Sequence, residues 1–280
     1  MPPNEKGKIM MPEQPPEKDD FIPMLFHDMK NPITAVIGSI DIIREGRLGA
    51  VNPGQAEYLQ SAIESCQEVV TMIDNMLDMR RLNTGVMQYK ISPVNPFTLL
   101  ETAVRDFSAA AERENVSLAL TIQTTGCTIA VDGTVLARVF TNLIGNAFKS
   151  VPEEGSITIS CGCVERGKLS KTEIKAATDS CGGVPAAAGF VRISVSDNGS
   201  EVSSDDFANI LERYAQPDNA TMRSRGGAGL SLAFCKKAVE SFGGCIWVEN
   251  NEGEGSRFTI LLPGYSNNAT RDNSNEEKLP

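Results

Sequence analysis

The sequence predicts an α+β protein. An N-terminal antiparallel helical hairpin dimerises into a four-helix bundle. An α/β sandwich follows, with a mixed sheet covered by helices on one face. Apolar residues recur in steps of four and three over two early segments, which is the rhythm of a helix with one buried stripe. Beyond about Lys90 the pattern changes to short alternating strands interleaved with amphipathic helices. Clusters of Gly, Asn and Pro punctuate the chain where one pattern gives way to the next.

Taken in order, residues 1–18 hold five prolines among many charges and read as a disordered tail. From 19 to 86 the chain reads as the hairpin. Ile22, Phe26, Met29, Ile33, Val36, Ile40 and Ile43 line one helix face, and Leu59, Ile63, Cys66, Val70, Ile73 and Leu77 line a second. The break between them, "EGRLGAVNPG", is short enough to bring the two helices back to back. A lone hairpin covers its own stripes poorly, so a second copy completes the bundle.

Residues 87–265 form the sandwich. "NPFTLLETAVRDFSAAAERE" opens with an asparagine cap and a proline in the first turn. "VSLALTIQ" alternates as a strand, "DGTVLARVFTNLIGNAFKSV" is helical, and "GSITISCGCV" and "FVRISVSDNG" are strands. A glycine-rich stretch leads into the helix "LSLAFCKKAVESFGG", and "CIWVEN" and "RFTILLP" close the sheet around a "NEGEG" turn. Residues 165–189 separate two strands by more than a hairpin needs and read as an exposed insertion loop. Residues 266–280 read as a second disordered tail.

Composition excludes several classes. A net charge of −10 argues against nucleic-acid or anionic-membrane partners. No apolar run approaches the ~20 residues of a membrane span, and no signal-peptide core is present, so the expected location is cytoplasmic. Seven cysteines, an odd number scattered through apolar segments, read as reduced buried side chains instead of a disulfide framework. A metal site at Cys161, Cys163 and Cys181 would need ligands this spacing does not supply.

The single histidine, His27, sits in "FHDMKNP". At 100° per residue it lies roughly 140° from the mean apolar direction of its helix and so faces solvent. A surface histidine needs no function, but its neighbours form a set. Asp28 can orient the imidazole, and Asn31 shares its face one turn on. Pro32 lacks the N–H that would bond the Asp28 carbonyl, at a helical cost on the order of 3 kcal/mol.

Three further stretches carry polar groups in suggestive places. Asn142, Asn146 and Lys149 fall on one helix face, where amide oxygens suit Mg²⁺ and an ammonium suits phosphate; the same face also fits plain solvent contact. Asp197 and Gly199 end a strand, where a carboxylate can accept from an exocyclic amine and glycine admits close backbone approach; a simple "DNG" turn fits as well. Gly226, Gly227 and Gly229 precede a helix, whose free N–H groups can receive phosphate oxygens.

Together and in this order the motifs resemble two-component sensor histidine kinases over roughly residues 20–264. "HDMKNP" resembles the phosphoacceptor motif, and the later stretches resemble the N, G1 and G2 boxes of the Bergerat-type ATP-binding domain. The resemblance implies a cytoplasmic, homodimeric kinase that autophosphorylates His27 from Mg-ATP. The phosphoryl group then passes to an aspartate of a response-regulator receiver domain acting in trans. Input would come from a separate sensor partner, the tail or the insertion.

By resemblance Asp28 is base or orienter and, with Asn31, fits the family's phosphatase motif. Asn146 is the Mg²⁺ ligand and Asn142 the preceding box asparagine. Lys149 contacts phosphate, Asp197 reads adenine, and Gly199, Gly227 and Gly229 lie beside the nucleotide. Residues from about Ser200 to Arg225 correspond to the ATP lid. Glu201 and Ser231 stand where the family has glycines, and Tyr214 where phenylalanines are usual. If position 201 requires a left-handed backbone, glutamate there is strained. The alternative is then an ATP-independent histidine phosphotransfer adaptor with a degenerate nucleotide site.

Overall fold

The computed structural model describes residues 18–83, 87–124, 126–203, 207, 210–211, 230–251 and 255–266. The chain divides into two compact units, Met1–Leu77 and Asp78–Pro280.

The first unit is built by α1 (Lys18–Arg44) and most of α2 (Pro53–Asn83). Helix α1 runs unbroken through Pro32. The turn between the helices uses Gly46 and Gly49, both with positive φ. Asn52 and Gln55 then exchange two backbone-to-side-chain hydrogen bonds of 3.0 and 2.8 Å, which start α2 ahead of Pro53. Lys30 Nζ donates to both oxygens of Asp74 at 2.9 and 2.8 Å, and Arg44 donates to Gln60. These pairs run in opposite senses along the two helices, so the hairpin is antiparallel. Ile63 and Ile73 are buried, and Phe26, Ile33, Ile37 and Ile40 are half-buried.

The second unit carries a seven-stranded sheet. Its strands are β1 (Ser92–Val94), β2 (Ser117–Ile122), β3 (Cys127–Val131), β4 (Ser156–Glu165), β5 (Gly189–Asp197), β6 (Cys245–Asn250) and β7 (Ser256–Ser266). The order is β1-β3-β7-β5-β4-β2, with β6 also paired to β7. All pairings are antiparallel except β2–β4, which makes the sheet mixed as expected. One face carries α3 (Pro96–Arg113), α4 (Gly133–Ser150) and α6 (Leu230–Ser241).

Alternation along the strands decides the core. Val191, Ile193 and Val195 of β5 lie level with Leu262, Ile260 and Phe258 of β7 and share their face. They are buried with Leu136, Phe140, Leu143 and Ile144 of α4 and Phe234, Ala238 and Val239 of α6. Asp132 caps α4 by accepting from Thr134 and Val135, and Asn95 caps α3.

Two expectations need correction. The 165–189 segment is not a loop: a 3₁₀ turn (Arg166–Lys168) leads into α5 (Lys171–Cys181), which lies on the opposite face of the sheet. There Leu169, Ala177, Phe190, Cys245, Trp247 and Leu261 form a second small core. Nor are all cysteines reduced: Cys127 pairs with Cys163, and Cys181 with Cys245. Tertiary packing brings each pair together across 36 and 64 residues of sequence, a proximity that local spacing does not reveal. Cys66, Cys161 and Cys235 are free. Among the described residues no helix is long and apolar enough to cross a membrane.

Candidate functional site

Two groups of side chains stand out, one in each unit. On α1 the His27 side chain is 72% exposed, as the helical phase predicts. Its Nδ1 lies 3.5 Å from Asp28 Oδ1 and 3.4 Å from Asn31 Nδ2. Asp28 only accepts and the Asn31 amide nitrogen only donates, so Nδ1 satisfies one of them at a time. Protonated, it faces Asp28 and leaves the Nε2 lone pair free; deprotonated, it accepts from Asn31. The i+1 and i+4 spacing on one helix is therefore a tautomer selector, aimed at a ring nitrogen open to solvent.

The second group gathers where β5, β6 and α4 end and β7 begins. Asp197 is buried at 3% exposure. Gly199 N donates to its Oδ1 at 2.9 Å, and Ser256 Oγ donates to its Oδ2 at 2.7 Å. Burial nevertheless dominates and raises the carboxyl above its ordinary value, with the two hydrogen bonds opposing. The surrounding backbone is packed tightly enough to require glycine twice. A Cβ on Gly199 would stand 2.2 Å from the Ser150 carbonyl oxygen at the end of α4. A Cβ on Gly255, whose φ is +77°, would stand 2.0 Å from the Asp197 carbonyl oxygen.

Neighbouring asparagines hold the frame. Asn198 Oδ1 accepts from Ser156 N at 2.7 Å, which fixes the start of β4. Asn251 Nδ2 donates to the carbonyls of Asp197 and Ser256, and its buried Oδ1 has no partner among the described residues. Asn250 clamps Val202 from both sides, accepting from its N–H at 3.0 Å and donating to its carbonyl at 2.8 Å. That clamp anchors the chain as it leaves the site.

On α4, Asn142 and Asn146 are half-buried and Lys149 is exposed. Asn142 Nδ2 is buried; among the described residues it has no oxygen or nitrogen partner and bonds a thiol instead. Its neighbour on α6 is the Cys235 thiol, which burial pushes up to about 12. A thiol so buried is inert. Arg138, four residues before Asn142, is paired with Asp78 and lies 4.6 Å over the Phe234 ring.

Asp197, Gly199 and the last residue of α4 thus come together. Ser256, Gly255 and Asn251 were not singled out by sequence reasoning, which took "NEGEG" for a turn only. The serine directly after a glycine at a strand start is the signal that pointed there. Gly226, Gly227, Gly229, Tyr214 and most of the 200–225 stretch lie outside the described residues. Glu201 is exposed, and among the described residues only Asn115 and Glu154 combine a side chain with positive φ. The glutamate is therefore not strained. Ser231 is half-buried in the first turn of α6. No group of three or more His, Cys, Asp or Glu side chains suited to a metal occurs among the described residues.

Comparison with known proteins bears on both groups. Residues 17–85 match the His Kinase A (phospho-acceptor) domain, and residues 131–266 match the histidine kinase-, DNA gyrase B-, and HSP90-like ATPase family. Sensor protein GacS of Pseudomonas syringae pv. syringae is 29% identical over 247 residues, covering 88% of this chain and 25% of that protein. Circadian input-output histidine kinase CikA of Synechococcus elongatus is 24% identical over 248 residues, covering 88% of this chain and 30% of that protein. The chain thus spans about a quarter of the length of the curated relatives it matches.

Among solved structures, full-length ShkA in complex with AMPPNP superposes with a TM-score of 0.62 at 23% identity, covering 88% of this chain and 46% of that one. Histidine kinase ThkA in complex with response regulator protein TrrA gives a TM-score of 0.53 at 18% identity, covering 87% and 61%. At such identities they speak for the fold. With the phospho-acceptor and ATPase domains following one another along one polypeptide, the chain belongs to the two-component sensor histidine kinases.

Proposed function

We propose that this chain is the kinase core of a homodimeric, cytoplasmic histidine kinase that transfers the γ-phosphoryl group of Mg-ATP to His27. The observation that carries the reading is the environment of the ring: Nδ1 engaged by Asp28 and Asn31, and Nε2 without a protein partner among the described residues. With the proton held on Nδ1 toward Asp28, the Nε2 lone pair attacks phosphorus. The Nε2–P bond forms as the bond to the bridging oxygen breaks, and ADP leaves.

In the second unit Asp197 accepts from the adenine amine, and Gly199 and Gly255 admit the close backbone packing that shapes the pocket. Gly227 and Gly229, outside the described residues, are assigned to the phosphates by the family resemblance alone. The donor set on α4 fits Mg²⁺ and polyphosphate: an asparagine amide oxygen at Asn146, the Asn142 amide, and the Lys149 ammonium. When bound there, Mg²⁺ supplies charge neutralisation on the phosphates. The family resemblance and the ShkA complex with AMPPNP support the nucleotide assignment.

The domain boundaries follow this division of labour: residues 19–86 for phosphoacceptance and dimerisation, 87–265 for catalysis. The phosphoryl group passes on to an aspartate of a response regulator in trans, a partnership supported by the ThkA–TrrA complex. The exposed Asp28 and Asn31 side chains also suit the reverse, hydrolytic reaction. The adaptor alternative rested on the departures from glycine at Glu201 and Ser231; an exposed Glu201 with ordinary backbone weighs against strain there.

The test is incubation of the purified chain with Mg-ATP and intact-mass measurement of acid-labile, alkali-stable phosphate. One phosphoryl group per chain is expected, absent in His27→Ala. A wild-type dimer that stays unmodified, yet accepts phosphate from a phosphorylated receiver domain, overturns the kinase assignment.

A further inference from the structure

The segment between β4 and β5 is attached to the sheet in an unusual way. Helix α5 has eleven residues, too short to persist alone in water. It rests on the sheet face away from α3, α4 and α6, over Phe190, Trp247 and Leu261. Its last residue, Cys181, faces Cys245, the first residue of β6, with Cα atoms 6.0 Å apart and 64 residues between them. That spacing lies within the range a disulfide spans without backbone movement.

Exposure of the two cysteines is unequal. Cys181 is half-buried at the helix end, and Cys245 is fully buried. The thiols also have places to rest when unlinked, since Cys181 Sγ lies 3.4 Å from the Ile246 carbonyl and Cys245 Sγ lies 4.0 Å from that of Ala177. On reduction the two sulfurs must move apart, and these carbonyls are the nearby acceptors for the freed thiols.

We propose that Cys181 and Cys245 form a redox-switchable latch that locks the 166–188 segment onto the back of the sheet. In a reducing compartment, disulfides are usually transient and sensing, and a latch with one reachable sulfur suits that role. A small-molecule disulfide such as oxidised glutathione is the oxidant. The Cys181 thiolate attacks it, forming a mixed disulfide and expelling one glutathione thiolate. The buried Cys245 thiolate then attacks the Cys181 sulfur and expels the second. One protein disulfide forms, one glutathione disulfide is consumed, and the two protons leave on two glutathione thiols. Reduction starts at the same reachable Cys181 sulfur.

The molecule carries its own reporter. Trp247 is the sole tryptophan, is fully buried, and belongs to the same cluster as Cys245 and Cys181. A disulfide quenches a neighbouring indole. The exposed Arg166, Lys168, Lys171 and Lys175 make the segment a trypsin target once it opens.

The experiment equilibrates the purified full chain with oxidised glutathione or dithiothreitol. It then blocks free thiols, maps cysteine peptides by mass, and follows Trp247 fluorescence and tryptic cleavage within 166–188. Oxidation is expected to link the Cys181 and Cys245 peptides. Reduction is expected to raise fluorescence and speed cleavage by at least about tenfold. Cys181→Ser and Cys181→Ala should behave as the reduced protein under both conditions. Cys163→Ser, which removes only the other pair, should keep the response. Alkylation of both thiols after oxidation overturns the latch. So does a linked pair whose reduction leaves cleavage unchanged, since that bond is a fixed staple.

Discussion

At Asp197, burial and hydrogen bonding act against each other. The site removes the carboxylate from water, which favours the protonated form, while Ser256 and the Gly199 amide favour the charged one; burial wins and the group titrates above its ordinary 3.8. The folded protein therefore holds this proton more tightly than the unfolded chain. The stability so gained is complete at low pH and is lost as pH rises from near 3.8 through the folded value. Asp197→Asn removes the titration and reverses the polarity of the contact to an exocyclic amine. Its nucleotide affinity should fall at least about tenfold, the worth of a hydrogen bond to a charged group. Its melting temperature should also decline less than that of wild type between about pH 4 and 7. Calorimetric titration with ADP and thermal melts measure the two effects. A variant that binds ADP normally would remove Asp197 from the nucleotide site.

Helix α5 shows what can and cannot be read at the scale of elements. The hairpin was legible because heptad spacing is local: Ile63 and Ile73 are buried where the stripe places them. The strand ends bearing Asp197 and Gly199 were legible for the same reason. Helix α5 was not, because its apolar content is sparse and its stability comes from termini and tertiary contacts. Ser170 and Glu173 form a reciprocal capping box, and Gly182 closes the helix in the left-handed conformation. Arg192, on the β5 face opposite the main core, donates to Glu173 Oε1 at 2.8 Å and to Gln123 Oε1 at 3.1 Å. Burial alone would raise Glu173, but the Ser170 N–H and Arg192 outweigh it and hold its carboxyl below the ordinary 4.5. The stability it contributes is present above that value and lost as pH falls through the lowered one. Glu173→Ala removes the carboxylate arm of the capping box and the ion pair, and should cost about 1–2 kcal/mol. Hydrogen exchange should show the α5 amides opening faster while α4 stays protected. Equal acceleration in α4 would mean that α5 does not open as a separate unit. The two disulfide pairs escaped sequence reading for a related reason: each depends on tertiary packing between distant segments, which no local pattern encodes.

At the scale of the whole molecule, the hairpin's remaining apolar surface sets the assembly. In one chain Phe26, Ile33, Ile37 and Ile40 are partly covered, yet Met29, Val36 and Ile43 stay 44, 47 and 40% exposed. They stand at steps of seven, the seam of a coiled bundle. Fully burying each is worth roughly 1.5–3 kcal/mol, so a second hairpin with the same row gains from both sides. A carboxylate at the middle position places a charge in that seam at a cost of several kcal/mol per ion. Val36→Asp is therefore expected to sediment as a monomer where wild type sediments as a dimer, and Val36→Ile to remain dimeric. Val36 belongs to the first unit and the nucleotide residues to the second, so ADP affinity should be unchanged in the monomer. Autophosphorylation separates two arrangements. If one protomer's ATP serves the other's His27, the monomer loses it, and mixing Asp197→Asn with His27→Ala chains restores it in heterodimers. If each protomer serves itself, the monomer keeps its activity and the mixture gains none. A Val36→Asp chain that still sediments as a dimer would place the seam on another face.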